Sequence, residues 1–128
     1  MMSDQEKQAI KRELAELAEE YVLGLPDKLQ EIRELYNSIL LSNNAEDMLD
    51  DLYILAHRIT GTSGTFGFKR LSACSRSFEN FLSDIQSRGF DVENSIEMEG
   101  LQVSIDALAV AILATQQESK ELAERVDG

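Results

Sequence analysis

Apolar residues along this chain recur at steps of three and four and show no strand-like alternation. That spacing predicts helices almost throughout. In the first segment Ile10, Leu14, Leu17 and Tyr21 share a stripe, and Ser3 with Glu6 offers a capping box ahead of it. The helix is expected over about residues 4–22. "GLPD" then breaks the pattern: Gly24 ends one helix and Pro26 fits the first turn of the next. The second helix carries Leu29, Ile32, Leu35 and Ile39. "LSNNAED" is a turn, with Asn43 or Asn44 as cap and Glu46 and Asp47 at the positive end of the following helix dipole.

The third helix is predicted from about Ala45 to beyond His57, burying Leu49, Leu52, Leu55, Ala56 and Ile59. "GTSGTFG" follows it, and Gly64 and Gly67 either end the helix or keep space open beside it. The fourth helix carries Leu71, Cys74, Phe78, Phe81 and Ile85. After "SRGFDVENS" the fifth has one stripe of Leu101, Ile105, Leu108 and Ile112 and a second of Val103, Ala107, Val110 and Ala114. Two stripes predict a wide buried face. The expected fold is all-α: an antiparallel, up-down-up-down four-helix bundle over about residues 25–126, with an additional N-terminal helix beside it or across one end. Residues 1–128 read as a single domain, long enough to bury a core without disulfides or metal.

Composition narrows the class. Hydrophobic content of 43% and a single proline argue for a folded chain. No apolar run reaches the roughly 20 residues that span a bilayer, and the N-terminus is charged from Asp4, unlike a secretory signal. A lone cysteine, Cys74, suits a reducing compartment. A cytoplasmic location is expected.

The net charge of −12 disfavours nucleic acid as a partner. The charge is uneven. From Tyr53 to Arg88 five basic residues (Arg58, Lys69, Arg70, Arg76, Arg88) face two acidic ones, so this segment is +3 and the remainder −15. A basic surface of this kind suits an acidic partner or an incoming phosphoryl group.

That segment holds the only histidine. At about 100° per residue, His57 shares its helix face with Asp50, Tyr53, Ile54, Thr60, Gly61 and Gly64, away from the stripe through Leu52 and Ile59. It is therefore expected in solvent. Gly61, one turn on, costs a helix roughly 1 kcal/mol against alanine, and clearance for an approaching molecule is a reason to keep it. "GTSGTFG" lacks the spacing and the Lys-Ser/Thr of a nucleotide-binding loop. One histidine and one cysteine do not make a zinc site, and no Ser-His-Asp set can be argued. An exposed, cleared histidine can act as a nucleophile toward phosphorus. With no nucleotide loop in the chain, the phosphoryl group would arrive on another protein.

"HRITGTSGTFGFKRLSACSRSFE" resembles the signature of histidine-containing phosphotransfer (HPt) domains, roughly H-x-L-K-G-[SA]-[SA]-x-x-L-G-x-x-x-L. His57 matches the phospho-accepting histidine, Ile59 the buried aliphatic and Gly61 the clearance glycine. Thr62 and Ser63 fill the small positions, Phe66 precedes the second glycine, Gly67, and Leu71 begins the next stripe. Glu79 falls where the family often carries an acid, and "YVLGLPDKLQEI" and "LAHRI" are similar to segments ahead of the site in a bacterial subset. Thr60 occupies a slot where lysine is common, which leaves Arg58, Lys69 and Arg70 as candidate sources of positive charge.

The resemblance implies a phosphorelay carrier and not an ATP-dependent kinase. It implies that His57 accepts a phosphoryl group from a receiver-domain aspartate and that Thr60, Gly61 and Gly64 line the site. Receiver docking would fall to Asp50, Tyr53, Ile54, Arg58, Lys69 and Arg70. Partners would be response-regulator receivers and a hybrid sensor histidine kinase, with no nucleic acid or membrane. The expected state is a monomer with no intrinsic metal or cofactor, Mg²⁺ coming from the receiver. A helical adaptor that binds a partner without phosphorylation is the alternative from another class.

Overall fold

The computed structural model describes residues 1–127. Five helices follow one another: α1 (Asp4–Leu23), α2 (Leu25–Leu41), α3 (Ala45–Thr65), α4 (Lys69–Ser87) and α5 (Ser95–Asp127). Among the described residues there is no strand. α2, α3, α4 and α5 close a ring in which each packs on the next and α5 returns to α2; α1 lies against α5 and α2. The fold is the all-α bundle with an added N-terminal helix that the apolar spacing predicts.

Local chemistry sets the helix ends. The Ser3 side-chain oxygen accepts the Glu6 N–H at 3.2 Å, and Asp4 and Glu6 complement the dipole in the first turn. Between α1 and α2 only Gly24 intervenes, in ordinary right-handed conformation (φ −84°), with Pro26 in the first turn beyond it. Asn44, not Asn43, precedes α3, but its side chain makes no capping bond; its N–H instead donates to Ser42 Oγ at 2.9 Å.

α3 runs straight through Gly61 and Gly64. It stops at Gly67, whose φ of +79° is left-handed, with Gly67 N–H on Gly64 O and Phe68 N–H on Ser63 O. This pair of bonds is a Schellman stop. Phe68, just past it, is buried. So Gly67 ends the helix and Gly64 does not.

The core is built from Ile32 and Ile39 of α2, Leu49, Leu52, Ala56 and Ile59 of α3, Leu71, Phe78, Leu82 and Ile85 of α4, and Leu101, Ile105, Leu108 and Ile112 of α5. Two expected stripes are not buried. In α1, Ile10, Leu14 and Leu17 are exposed, and Val22 is the buried residue, with Ala18 and Tyr21 packed partly beside it. In α5, Val103, Ala107 and Val110 face solvent and Ala114 is half-buried. α5 meets its neighbours through the Leu101–Ile112 stripe, and none of the described residues covers Val103, Ala107 or Val110 on the opposite side. Apolar residues on both sides also make α5 long and apolar enough, by length and composition alone, to cross a membrane (mean hydropathy 1.4), although Glu99, Gln102, Ser104 and Asp106 break any continuous apolar run. Its inner half is bundle core.

Candidate functional site

The α3–α4 hairpin carries the site, and polar bonds register it. Ser72 Oγ donates to Thr60 O (2.9 Å) and Ser75 Oγ to Ala56 O (2.7 Å). The pairs run in opposite chain directions, as an antiparallel hairpin requires. One turn beyond Ser75, Glu79 faces α3 with its side chain 9% exposed. Its Oε1 lies 2.6 Å from His57 Nδ1, and its Oε2 2.6 Å from Thr60 Oγ1.

His57 itself is exposed, its side chain at 71%. Its ring lies nearly parallel to that of Tyr53, centroids 6.1 Å apart. Gly61 follows one turn later, and a Cβ built there would meet nothing within 4 Å. The arrangement has a chemical meaning. With Nδ1 donating its hydrogen to Glu79, the neutral ring has its lone pair on Nε2. Among the described residues Nε2 has no hydrogen-bond partner. That form presents a solvent-facing nitrogen lone pair on a ring held by a buried carboxylate.

A second polar link ties α1 to the same turn of α3. Tyr21 OH pairs with Ser63 Oγ at 2.9 Å and stands 3.5 Å from Ile59 O, while its ring stacks on Phe66. Burial raises the Tyr21 phenol above its usual value, and the bond to Ser63 offsets part of that. The Cys74 thiol is also pushed up by burial, with Arg70 opposing.

A family model of the Hpt domain matches residues 16–117. The chain belongs to the Hpt domain family. Comparison with curated proteins and with solved structures returned no match. Hpt domains act in histidine phosphotransfer in two-component signalling, as carriers of the phosphoryl group and not as kinases. The match begins inside α1 and ends inside α5, so it spans the whole α3–α4 hairpin.

Within this Hpt domain the structure rearranges some of the sequence-based site. Thr60 does not line an open phosphoryl site: it is 6% exposed and turned to Glu79. It sits 60° around the helix from His57 on the side that α4 covers, and helix angles alone cannot report that cover. Gly64 is exposed but seven residues on, about 10 Å along the axis, and borders Ser72 of α4. It belongs to a shallow groove of about 460 Å³ along α4, lined also by Lys69, Ser72, Ala73, Arg76, Ser77 and Asn80.

Asp50 accepts a hydrogen bond from Gln86 at 2.6 Å, so it ties α3 to α4. Tyr53 and Ile54 flank His57, and Ile54 is 45% exposed. Arg58, Lys69 and Arg70 are exposed, and with Arg76 they form no ion pair among the described residues. Sequence reasoning assigned no role to Ser72 or Ser75, read Tyr21 only as part of an apolar stripe, and placed Glu79 only through the family resemblance. A signal existed: Ser72, Ser75 and Glu79 recur at steps of three and four alongside Leu71, Phe78 and Leu82, which puts polar groups on an inward face.

Proposed function

We propose that this Hpt domain is an intermediate in a phosphorelay, taking a phosphoryl group from a receiver-domain aspartate and delivering it to a second receiver. The observation that carries this reading is the exposed His57 ring held at Nδ1 by Glu79, with open space over Gly61. In the forward step the Nε2 lone pair forms a bond to phosphorus. The bond from phosphorus to the receiver's aspartyl oxygen breaks, and its electron pair stays on that carboxylate. The Nδ1 hydrogen remains on the Glu79 bond, so the buried carboxylate balances the positive charge that the ring acquires. The reverse sequence loads the next receiver.

The Mg²⁺ for this step belongs to the receiver, and this domain contributes position and charge. Tyr53 and Ile54 offer apolar docking area, while Arg58, Lys69 and Arg70 steer an acidic receiver toward His57. The site of action is the cytoplasm, where receivers and the kinase that feeds them reside. Incubation with phosphorylated receivers is the test. The wild-type chain should acquire acid-labile phosphate and the His57→Gln variant should acquire none. Labelling of the Gln variant would sink the assignment, and no transfer to the wild type from any receiver would favour a helical adaptor.

A further inference from the structure

The Glu79 carboxylate is almost fully buried, yet among the described residues no lysine or arginine stands within 4.0 Å of it. Its two oxygens have one partner each: His57 Nδ1 on Oε1 and Thr60 Oγ1 on Oε2, both at 2.6 Å. Thr60 has a single hydroxyl hydrogen and two acceptors in reach, Glu79 Oε2 and, at 2.9 Å, the Ala56 carbonyl. The Ala56 carbonyl is independently served by Ser75 Oγ at 2.7 Å. The Thr60 hydrogen is therefore free for the shorter contact with the carboxylate. This division of donors leaves no buried side-chain polar atom unpaired among the described residues.

We propose that Thr60 is a positioning residue for the phosphotransfer step, acting through Glu79 on His57; this rests on the phosphorelay reading above. A glutamate held by one oxygen can rotate about its last side-chain bond and carry that oxygen off the ring nitrogen. Held by both, its plane is fixed and Oε1 stays on Nδ1. His57 depends on that restraint because its ring is largely in solvent and Glu79 is its one hydrogen-bond partner among the described residues. A histidine ring left to water keeps its proton mostly on Nε2, the nitrogen that must be bare for attack. Thr60 thereby selects the tautomer from inside the helix pair, without touching the reacting atoms.

The test exploits the single histidine of the chain. A long-range proton–nitrogen spectrum of isotope-labelled protein at neutral pH shows one imidazole, and its two nitrogen shifts report the tautomer. Thr60→Val keeps the shape of the side chain and removes the hydroxyl. It should shift the ring toward the Nε2-protonated form and slow phosphate uptake from a phosphorylated receiver by about tenfold, and Thr60→Ser should restore both. An unchanged tautomer ratio in the valine variant overturns the proposal, as does failure of serine to restore it. If the valine variant does not fold, the Thr60→Ser and Thr60→Ala pair, which differ by the hydroxyl alone, takes its place with the same expectations. The tautomer needs no receiver to be observed. A wild type that no receiver labels, with a tautomer that still answers to the Thr60 hydroxyl, would sink the phosphorelay reading and support the positioning role. A wild type that is labelled, with a tautomer indifferent to Thr60, would do the reverse.

Discussion

Replacing Gly61 separates what the helix wants from what the site wants. The residue lies inside α3, one turn past His57, and is exposed. Its φ is not in the left-handed region, unlike those of Gly67 and Gly89. A Cβ there would meet nothing within 4 Å. No feature of the folded chain therefore requires glycine at this position. Glycine in an exposed helix interior costs about 1 kcal/mol relative to alanine, so Gly61→Ala should stabilise the protein by about that amount. For a domain of this size that is a rise of roughly 3–5 °C in Tm.

The function should respond in the opposite direction. A side chain at 61 would stand beside His57, in the space that the proposed receiver docking uses. Across the series alanine, leucine, arginine, the rate of transfer from a phosphorylated receiver should fall with size, by about a hundredfold at arginine, as misplaced reactants commonly show. Thermal unfolding followed by circular dichroism gives the first quantity, and labelled-phosphate transfer gives the second. An alanine variant that melts below the wild type would show that the helix does need this glycine. An arginine variant that transfers at the wild-type rate would show that nothing docks over it.

Gly67→Ala should behave oppositely to Gly61→Ala, losing about 1–2 kcal/mol because an L side chain is strained at a φ of +79°; a chemical denaturation midpoint checks this. Glu79→Ala should fold, since Thr60 can fall back on the Ala56 carbonyl, but should transfer about ten- to a hundredfold more slowly, the worth of one hydrogen bond to a charged group. Tyr21→Phe should cost about 1 kcal/mol at pH 7 through the lost bond to Ser63. The same variant carries a pH signature. Burial raises the folded-state phenol above its ordinary value of 10.0, so the stability from keeping it neutral is full below that pH and is lost as pH rises through the folded value. Urea midpoints above pH 10 should therefore fall more steeply in the wild type than in the phenylalanine variant.

Much of the bundle is legible in spacing because helices with an apolar stripe have few ways to hide it. The breaks at Gly24–Pro26 and at Asn43–Asn44 are local chemistry, visible without tertiary contacts. The stripes of α1 and α5 show the limit. Leu14 and Val110 have the same periodic setting as Ile32 and Leu108, but periodicity says which residues share a face and not whether a neighbour covers it. Thr60 fails for the mirror-image reason: its angle places it near His57, and α4 lies on it. The His57–Glu79 pair, 22 residues apart in sequence, depends on how two helices align. No single-helix argument contains that alignment, although the polar series Ser72, Ser75 and Glu79 on an inward face hints at it.

The seam formed by that series couples assembly to competence. Ser72 and Ser75 meet the Thr60 and Ala56 carbonyls, and Glu79 reaches back to His57 and Thr60 in the same two turns of α3, so the contacts depend on one alignment of the two helices. A hairpin docked one helical turn out of step, about 5.4 Å, would still bury leucine against leucine. It would strand the serines and leave the histidine without its carboxylate. Such a molecule would be folded by every measure of helix content and silent as a messenger. The bonds that reject it lie in the same seam that holds the His57 ring, so on the proposed reading a correctly closed hairpin is already competent for transfer.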